Sequence, residues 1–198
     1  MQSLKVNEIF YSLQGEGLRA GEPSIFIRLA GCTAKNSCFK SGILCDTEFE
    51  SYIEMTIDEI KKEIEKYPCH WIVWTGGEPT DQLTEEIVMK FHKYKHAIEC
   101  SGIRQAPENI DFVTISPKVG EHILERKWKH RMVDEIKYVR HKGQGIPEPK
   151  ILAKNYYLSP HSDGFNINYD NVSYCIKLCL DNPKWKMSIQ QHKIWNVR

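Results

Sequence analysis

The sequence predicts an α/β protein built on a mainly parallel sheet. Short β-branched and aromatic runs recur along the chain, and segments of helical period separate the earlier ones. Such alternation is what a parallel sheet with crossover helices requires.

The strand candidates are, in order, 24–30 (SIFIRLA), 70–75 (HWIVWT), 96–100, 112–116, 135–139 and 156–159. After the first of these, Thr56 with Glu59 forms a capping-box pattern, and Ile57, Ile60, Ile64 and Tyr67 then recur on one helix face. Thr84 can cap a second helix, with Glu85 and Glu86 in its electropositive first turn and Ile87, Phe91 and Tyr94 facing inward. Val172, Cys175, Ile176 and Cys179 mark a third. In a sheet of this kind ligands gather beyond the carboxyl ends of the strands. Gly76–Pro79, Ser101 with Gly102, Ser116–Lys118, and Ser159 with Pro160 each follow a strand candidate. Glycine and proline are also ordinary turn residues, yet four such turns at strand ends point to one shared mouth.

With 198 residues, 41% of them hydrophobic, the chain can bury one substantial core, and a single domain over residues 1–198 is expected. A formal charge of +1 argues against a chain that wraps polyanions, so no nucleic-acid partner is expected. No apolar run reaches the ~18 residues of a membrane span, and the opening MQSLKVNEIF has no apolar signal segment. The expectation is a cytoplasmic protein without a membrane partner, whose seven cysteines stay reduced.

Three of those cysteines, Cys32, Cys38 and Cys45, lie close together in GCTAKNSCFKSGILCDT. Disulfides use an even count, and a structural zinc takes four ligands. A 4Fe–4S cluster held by three thiolates leaves one iron open, and soft thiolates suit it. Cys69, Cys100, Cys175 and Cys179 fall in or beside apolar runs and read as core residues, whereas Thr, Lys, Asn, Ser and Gly surround the other three. A zinc site completed by His70 or His92 fits the spacing as well. The tetrad Gly76-Gly77-Glu78-Pro79 lets backbone approach a ligand and offers Glu78 as an acceptor for an ammonium group; a tight turn with a solvated Glu is the plain reading.

Together these stretches resemble the radical S-adenosylmethionine enzymes, and more narrowly the 7-carboxy-7-deazaguanine synthases. The resemblance runs from EIFYSLQGEG (8–17) through PSIFIRLAGC (23–32), CDT (45–47), TGGEP (75–79), SPK (116–118) and DEIK (134–137) to SIQQHK (188–193). One feature departs from the superfamily, whose loop reads Cys-x3-Cys-x2-Cys. Here it reads Cys-x5-Cys-x6-Cys, with Gly42 where the middle cysteine is expected, so Cys38 takes that role.

The resemblance implies a modified partial (β/α) barrel and a cluster on Cys32, Cys38 and Cys45. It implies conversion of 6-carboxy-5,6,7,8-tetrahydropterin to 7-carboxy-7-deazaguanine with loss of ammonia. S-adenosylmethionine would be held by Gly77, Glu78, Ser116, Pro117, Lys118, Ser159, Pro160, His161 and Ser162, with Ser101 an additional contact. The pterin would be held by Leu13, Gln14, Gly15, Glu16, Arg28 and Thr75, and by His192 with the terminal carboxylate of Arg198. Thr47 matches the family's magnesium ligand, with Asp46 beside it. A homodimer and an electron donor such as flavodoxin are the implied partners. The basic run 125–131 (ERKWKHR) reads plainly as a solvated loop, with RNA contact or docking of an acidic electron donor as alternatives. Two other functions share part of the pattern. A glycyl-radical activase would need the cysteine loop and GGEP but not LQGEG or QQHK, and a zinc-stabilised RNA-binding module would need only the cysteines and a histidine.

Overall fold

The apolar runs pair edge to edge because buried backbone must find its hydrogen bonds inside the protein. The computed structural model describes residues 2–198 apart from 41–46, 163 and 165. Its strands are β1 (Ser3–Leu13), β2 (Pro23–Leu29), β3 (Ile53–Thr56), β4 (Trp71–Gly76), β5 (Lys95–Cys100), β6 (Phe112–Ile115), β7 (Val133–Arg140), β8 (Ala153–Pro160) and β9 (Lys186–Met187). The helices are α1 (Lys35–Lys40), α2 (Ile57–Ile64), α3 (Glu85–Met89), α4 (Glu121–Trp128), α5 (Tyr169–Asp181) and α6 (Gln191–Trp195). One sheet takes all nine strands in the order β3-β1-β2-β4-β5-β6-β7-β8-β9. From β2 to β9 every pairing is parallel, while β1 runs antiparallel to β2 and β3.

The six expected strands are β2 and β4 to β8. The additional strands lie at the two ends of the order, where a strand needs little apolar sequence: β1 is half polar, β3 is exposed, and β9 has two residues. The capping box at Thr56 forms as expected, its side chain taking the Glu59 amide while Glu59 takes the Thr56 amide. The basic run 125–131 is solvated at Glu125, Arg126, Lys127, Lys129 and His130, but it is not all loop. Its first half lies in α4, where Leu124 and Trp128, one turn apart, are fully buried. Arg131 then donates to the Ala106 and Pro107 carbonyls at 2.5 and 3.1 Å.

Alternation gives the sheet two faces. On the outer one, Ile27, Trp74, Ile98, Ile115, Ile136 and Leu158 pack under α2 to α5 in the main core. On the inner one, Phe10, Phe26, Val73 and Ala97 form an apolar floor. Above that floor runs a polar row, in which Arg28 registers with Thr75, Glu99 with Thr114, and Thr114 with Glu135.

Among the described residues no pairing joins β9 to β3, so the barrel is partial. The chain's end crosses that open side. The Ser188 amide donates to the Leu158 carbonyl at 2.9 Å, the Gln191 amide to the Gly15 carbonyl at 2.9 Å, and the Ser12 hydroxyl to the Arg198 carbonyl at 2.6 Å. The tail thereby passes from β8 along the loop after β1 and back onto β1.

Candidate active site

Two strand ends meet where the cysteine loop begins. The Gly77 amide donates to the Leu29 carbonyl at 3.0 Å and the Glu78 amide to the Gly31 carbonyl at 2.9 Å, which draws the turn after β4 onto the turn after β2. The approach is so close that a Cβ on Gly77 would sit 2.0 Å from the Gly31 oxygen and 2.9 Å from Cys32 Cβ. Only glycine fits there. Asp81 fastens the next residue, taking the Thr33 amide at 2.9 Å and its hydroxyl at 2.8 Å while pairing with Arg104.

Cys32 and Cys38 are both half-buried, the second on α1. Cys45 and Asp46 lie outside the described residues, and among the described ones no group of three potential ligands is assembled. The thiol pair beside a glycine turn that leaves no room for a side chain suits a cluster in this loop. His70 and His92 are exposed and precede β4 and β5, so they lie at the amino end of the sheet. The six residues of β4 separate that end from the cysteines by about 20 Å. Neither histidine is placed to complete a zinc site with Cys32.

Glu78 is fully buried, and its carboxylate is saturated with donors. One oxygen takes the Ser101 amide and hydroxyl at 2.9 and 2.5 Å; the other takes the Thr80 amide and hydroxyl at 3.2 and 2.5 Å. The side chain thus ties the end of β4 to the end of β5, and what the turn presents to a ligand is backbone. Ser101 is buried by the same bonds. Ser116, Pro117 and Lys118 follow β6, with the Ser116 amide on the Cys100 carbonyl at 2.8 Å. Ser159 and Pro160 end β8 and are buried; His161 and Ser162 follow, half-buried. The His161 ring stacks on His141 at 4.1 Å, and its backbone is held by Arg140 and Asn171. All the residues expected around S-adenosylmethionine therefore lie at one mouth.

The loop after β1 lies over the polar row. Gln14 is buried, donating to Glu99 at 2.8 Å and accepting the Glu16 amide at 3.1 Å. Glu16 pairs with Lys137, and both side chains are largely buried. Burial alone pushes the Glu16 carboxyl up, but Lys137, with His192 and Gln190 behind it, outweighs this and holds it below its ordinary range. Burial likewise disfavours the Lys137 ammonium, yet Glu16 and Glu99 carry its pKa above normal. His192 lies against Gly15, where a Cβ would meet its ring at 2.1 Å. Burial, partly offset by Glu16, lowers the His192 pKa, so its ring is neutral at working pH. Arg28 and Arg198 form a second group on the β1–β2 side. They share Glu8, at 2.8 and 2.5 Å, and both guanidiniums lie over Phe10. Thr75 is buried in register beside Arg28. Leu13 lines, with Tyr11, Pro23, Val197 and Arg198, a cleft of about 410 Å³ beside the tail, and so adjoins the second group through Arg198.

No family model matches the chain. Individual relatives match over its whole length. The 7-carboxy-7-deazaguanine synthase of Bacteroides thetaiotaomicron is 39% identical over 198 residues, covering 98% of both chains. Those of Nitratidesulfovibrio vulgaris and Haemophilus influenzae are 33% and 31% identical, each covering 98% of this chain and 98% and 94% of their own. The chain belongs to the 7-carboxy-7-deazaguanine synthase family. The fold agrees: the crystal structure of QueE from Escherichia coli superposes with a TM-score of 0.64 at 24% identity, over 96% of this chain and 95% of that one.

For a 7-carboxy-7-deazaguanine synthase the polar row holds more than sequence reasoning assigned. Glu8, Glu99, Glu135 and Lys137 all contact residues expected to bind substrate or the loop that carries them. A signal for three of them was present. Central parallel strands, buried on both faces, ordinarily read as continuous apolar runs. Glu99 in AIEC, and Glu135 and Lys137 two residues apart in DEIKY, interrupt such runs on one face. Charges there mark a polar inner face.

Proposed function

We propose that this chain is a 7-carboxy-7-deazaguanine synthase. It converts 6-carboxy-5,6,7,8-tetrahydropterin to 7-carboxy-7-deazaguanine with loss of ammonia, a carbon–nitrogen lyase reaction of queuosine and deazapurine biosynthesis. The observation that carries this reading is the loop Gln14–Gly17, packed between the polar row and the chain's end at the mouth where Gly77 abuts Cys32. Residues 1–198 are proposed to act as one domain, since one sheet takes strands from both ends of the chain.

Cys32, Cys38 and Cys45 would hold a 4Fe–4S cluster, with S-adenosylmethionine over the Gly77 backbone and along Ser101, Ser116–Lys118 and Ser159–Ser162. When bound, the two would supply the radical chemistry that the ring contraction needs. The protein's part is position and exclusion of water. Phe10, Phe26, Val73 and Ala97 close the floor beneath the substrate with apolar atoms. Gln14 and Glu16 meet the pterin's amino and ring N–H donors from the loop, with Glu99 beside them, and neutral His192 adds a donor or acceptor. Glu8 occupies Arg28 through Nε, which leaves the guanidinium's outer edge to fork onto the substrate carboxylate. Thr47 offers a hard hydroxyl oxygen to magnesium. Next to it, Glu48 is held down to about 2 by hydrogen bonds from the Ser51 hydroxyl, the Ser51 and Glu50 amides and Asn7, so a permanent negative charge neighbours that site.

Exposed Arg126, Lys127, Lys129 and His130 offer a cationic surface to an acidic donor such as flavodoxin. A homodimer belongs to the same proposal. Among the described residues no helix is long and apolar enough to cross a membrane. The test is anaerobic reconstitution followed by turnover of carboxypterin with a reductant and S-adenosylmethionine. Brown protein with about four irons, releasing 7-carboxy-7-deazaguanine, is expected. Colourless protein with one zinc would overturn the reading; so would a loaded cluster that cleaves S-adenosylmethionine but leaves carboxypterin untouched.

A further inference from the structure

Glu135 is a buried carboxyl that the reaction as described leaves without a task. It stands on the inner face of β7, two residues from Lys137, and its two oxygens face different elements. Oε1 takes the Thr114 hydroxyl of β6 at 2.9 Å, and Oε2 takes the Leu18 amide at 2.9 Å, at the far end of the loop that carries Gln14 and Glu16. Between these contacts the backbone of Gly17 lies flat on the carboxyl group. A Cβ there would come within 2.3 Å of Oε1 and 2.6 Å of Oε2, and Gly17 has φ +69°. Gly17 must therefore be glycine for two reasons, its left-handed backbone and the carboxyl beneath it. The Gly17 amide turns the other way, onto the Ser188 hydroxyl at 3.0 Å.

We infer that Glu135 is a positioning residue that latches the substrate loop to the sheet and so aims Gln14 and Glu16 into the pocket. The inference rests on the proposed carboxypterin reaction for its kinetic consequence, but the latch itself is a property of the protein without substrate. Geometry, more than charge, does the work. The side chain must be long enough to span from Thr114 to Leu18, and its burial pushes the carboxyl pKa up, against the pull of the Leu18 amide and Lys137. A glutamine at this position reproduces the span, accepting from Leu18 through its oxygen and donating to the Thr114 hydroxyl through its nitrogen. An aspartate keeps the charge but is one methylene too short to reach both.

The test compares Glu135→Gln, Glu135→Asp and Glu135→Ala in the reconstituted enzyme, with two readouts. The first is hydrogen exchange at the Leu18 amide, which needs no substrate. The second is the separate measurement of KM and kcat for carboxypterin. Glu135→Gln is expected within about five-fold of the native KM. Glu135→Asp and Glu135→Ala should raise KM by about ten- to hundred-fold, the loss expected when one buried donor is left unsatisfied, with kcat within about three-fold. In both, Leu18 exchange should accelerate by at least about ten-fold while iron content stays native. Gly17→Ala should harm the Glu135→Ala enzyme less than the native one, because the colliding carboxyl is gone. If Glu135→Ala does not fold, the order of Gln and Asp decides: near-native Asp with an impaired Gln makes the charge essential and overturns the latch. A native Leu18 exchange rate in Glu135→Asp also overturns it, as does a fall in kcat at unchanged KM. Should native enzyme fail to turn over carboxypterin, the proposed reaction fails, and the exchange data still decide the latch.

Discussion

Replacing Lys137 by methionine keeps the length and apolar stem of the side chain and removes its charge. The native pair with Glu16 is 8% and 15% exposed on its two sides, and Glu99 and Glu135 stand on the same face. Without the ammonium, Glu16 becomes a buried carboxylate facing two other carboxyl groups. Breaking one partner out of a buried pair costs about 3–5 kcal/mol. For a chain of this size each kcal/mol moves the melting temperature by about 2–4 °C, so a fall of roughly 6–20 °C is expected at about pH 7.5. The pH dependence identifies the cause. In the native protein the Glu16 pKa is depressed, so the pair's contribution is complete above the ordinary carboxylate range and fades only as pH drops through the depressed value. In the variant only His192 and Gln190 still oppose burial, so the Glu16 pKa moves up and the penalty falls away as the group is protonated. Lowering the pH to about 5 therefore relieves the variant before the native protein, and the difference between the two melts should shrink. The Lys137 pKa is raised, and its contribution is lost only at alkaline pH, outside this window. Thermal unfolding followed by circular dichroism at both pH values tests the prediction. A difference below about 2 °C, or one that does not narrow in acid, would refute the account of the pocket as one ammonium shared among carboxylates.

Gly77→Ala puts a methyl 2.0 Å from the Gly31 carbonyl, so the turn cannot close on the cysteine loop; most iron should be lost after anaerobic reconstitution, and native iron content would contradict the packing argument. Glu78→Gln turns an acceptor into a donor against Ser101 or Thr80 and should cost about 1–3 kcal/mol, with affinity for S-adenosylmethionine weakened in titration calorimetry while iron is retained. An unchanged melt and affinity would show that the four bonds to Glu78 do not hold the turn. Deleting residues 196–198 removes the Arg198 contacts to Ser12 and Glu8 and should raise KM for carboxypterin at least about ten-fold, leaving cluster content and cofactor cleavage native. Normal turnover at low substrate would take the tail out of the site.

The parallel core, helices α2, α3 and α5 and the mouth were legible in the sequence because each rests on local pattern: β-rich runs, apolar residues at helical spacing, and glycine, serine and proline where strands end. The loops that carry chemistry were legible for the same reason, since LQGEG, the cysteine loop and GGEP are contiguous in the chain. What a side chain does once placed there was not legible. Glu78 looked like a ligand for an ammonium group, and only the approach of β5 reveals that Ser101 and Thr80 consume its carboxylate. The basic run 125–131 looked like a loop because Leu124 and Trp128, the two residues that bury α4, stand among charges that stay exposed. The tail shows the limit most clearly. Its path over Gly15 to Ser12 and Glu8 depends on polar contacts between residues more than 170 positions apart. Local sequence sets backbone preference and the order of faces. Which charges share a cavity is set by sheet order and register, and those come into being only when the whole sheet assembles.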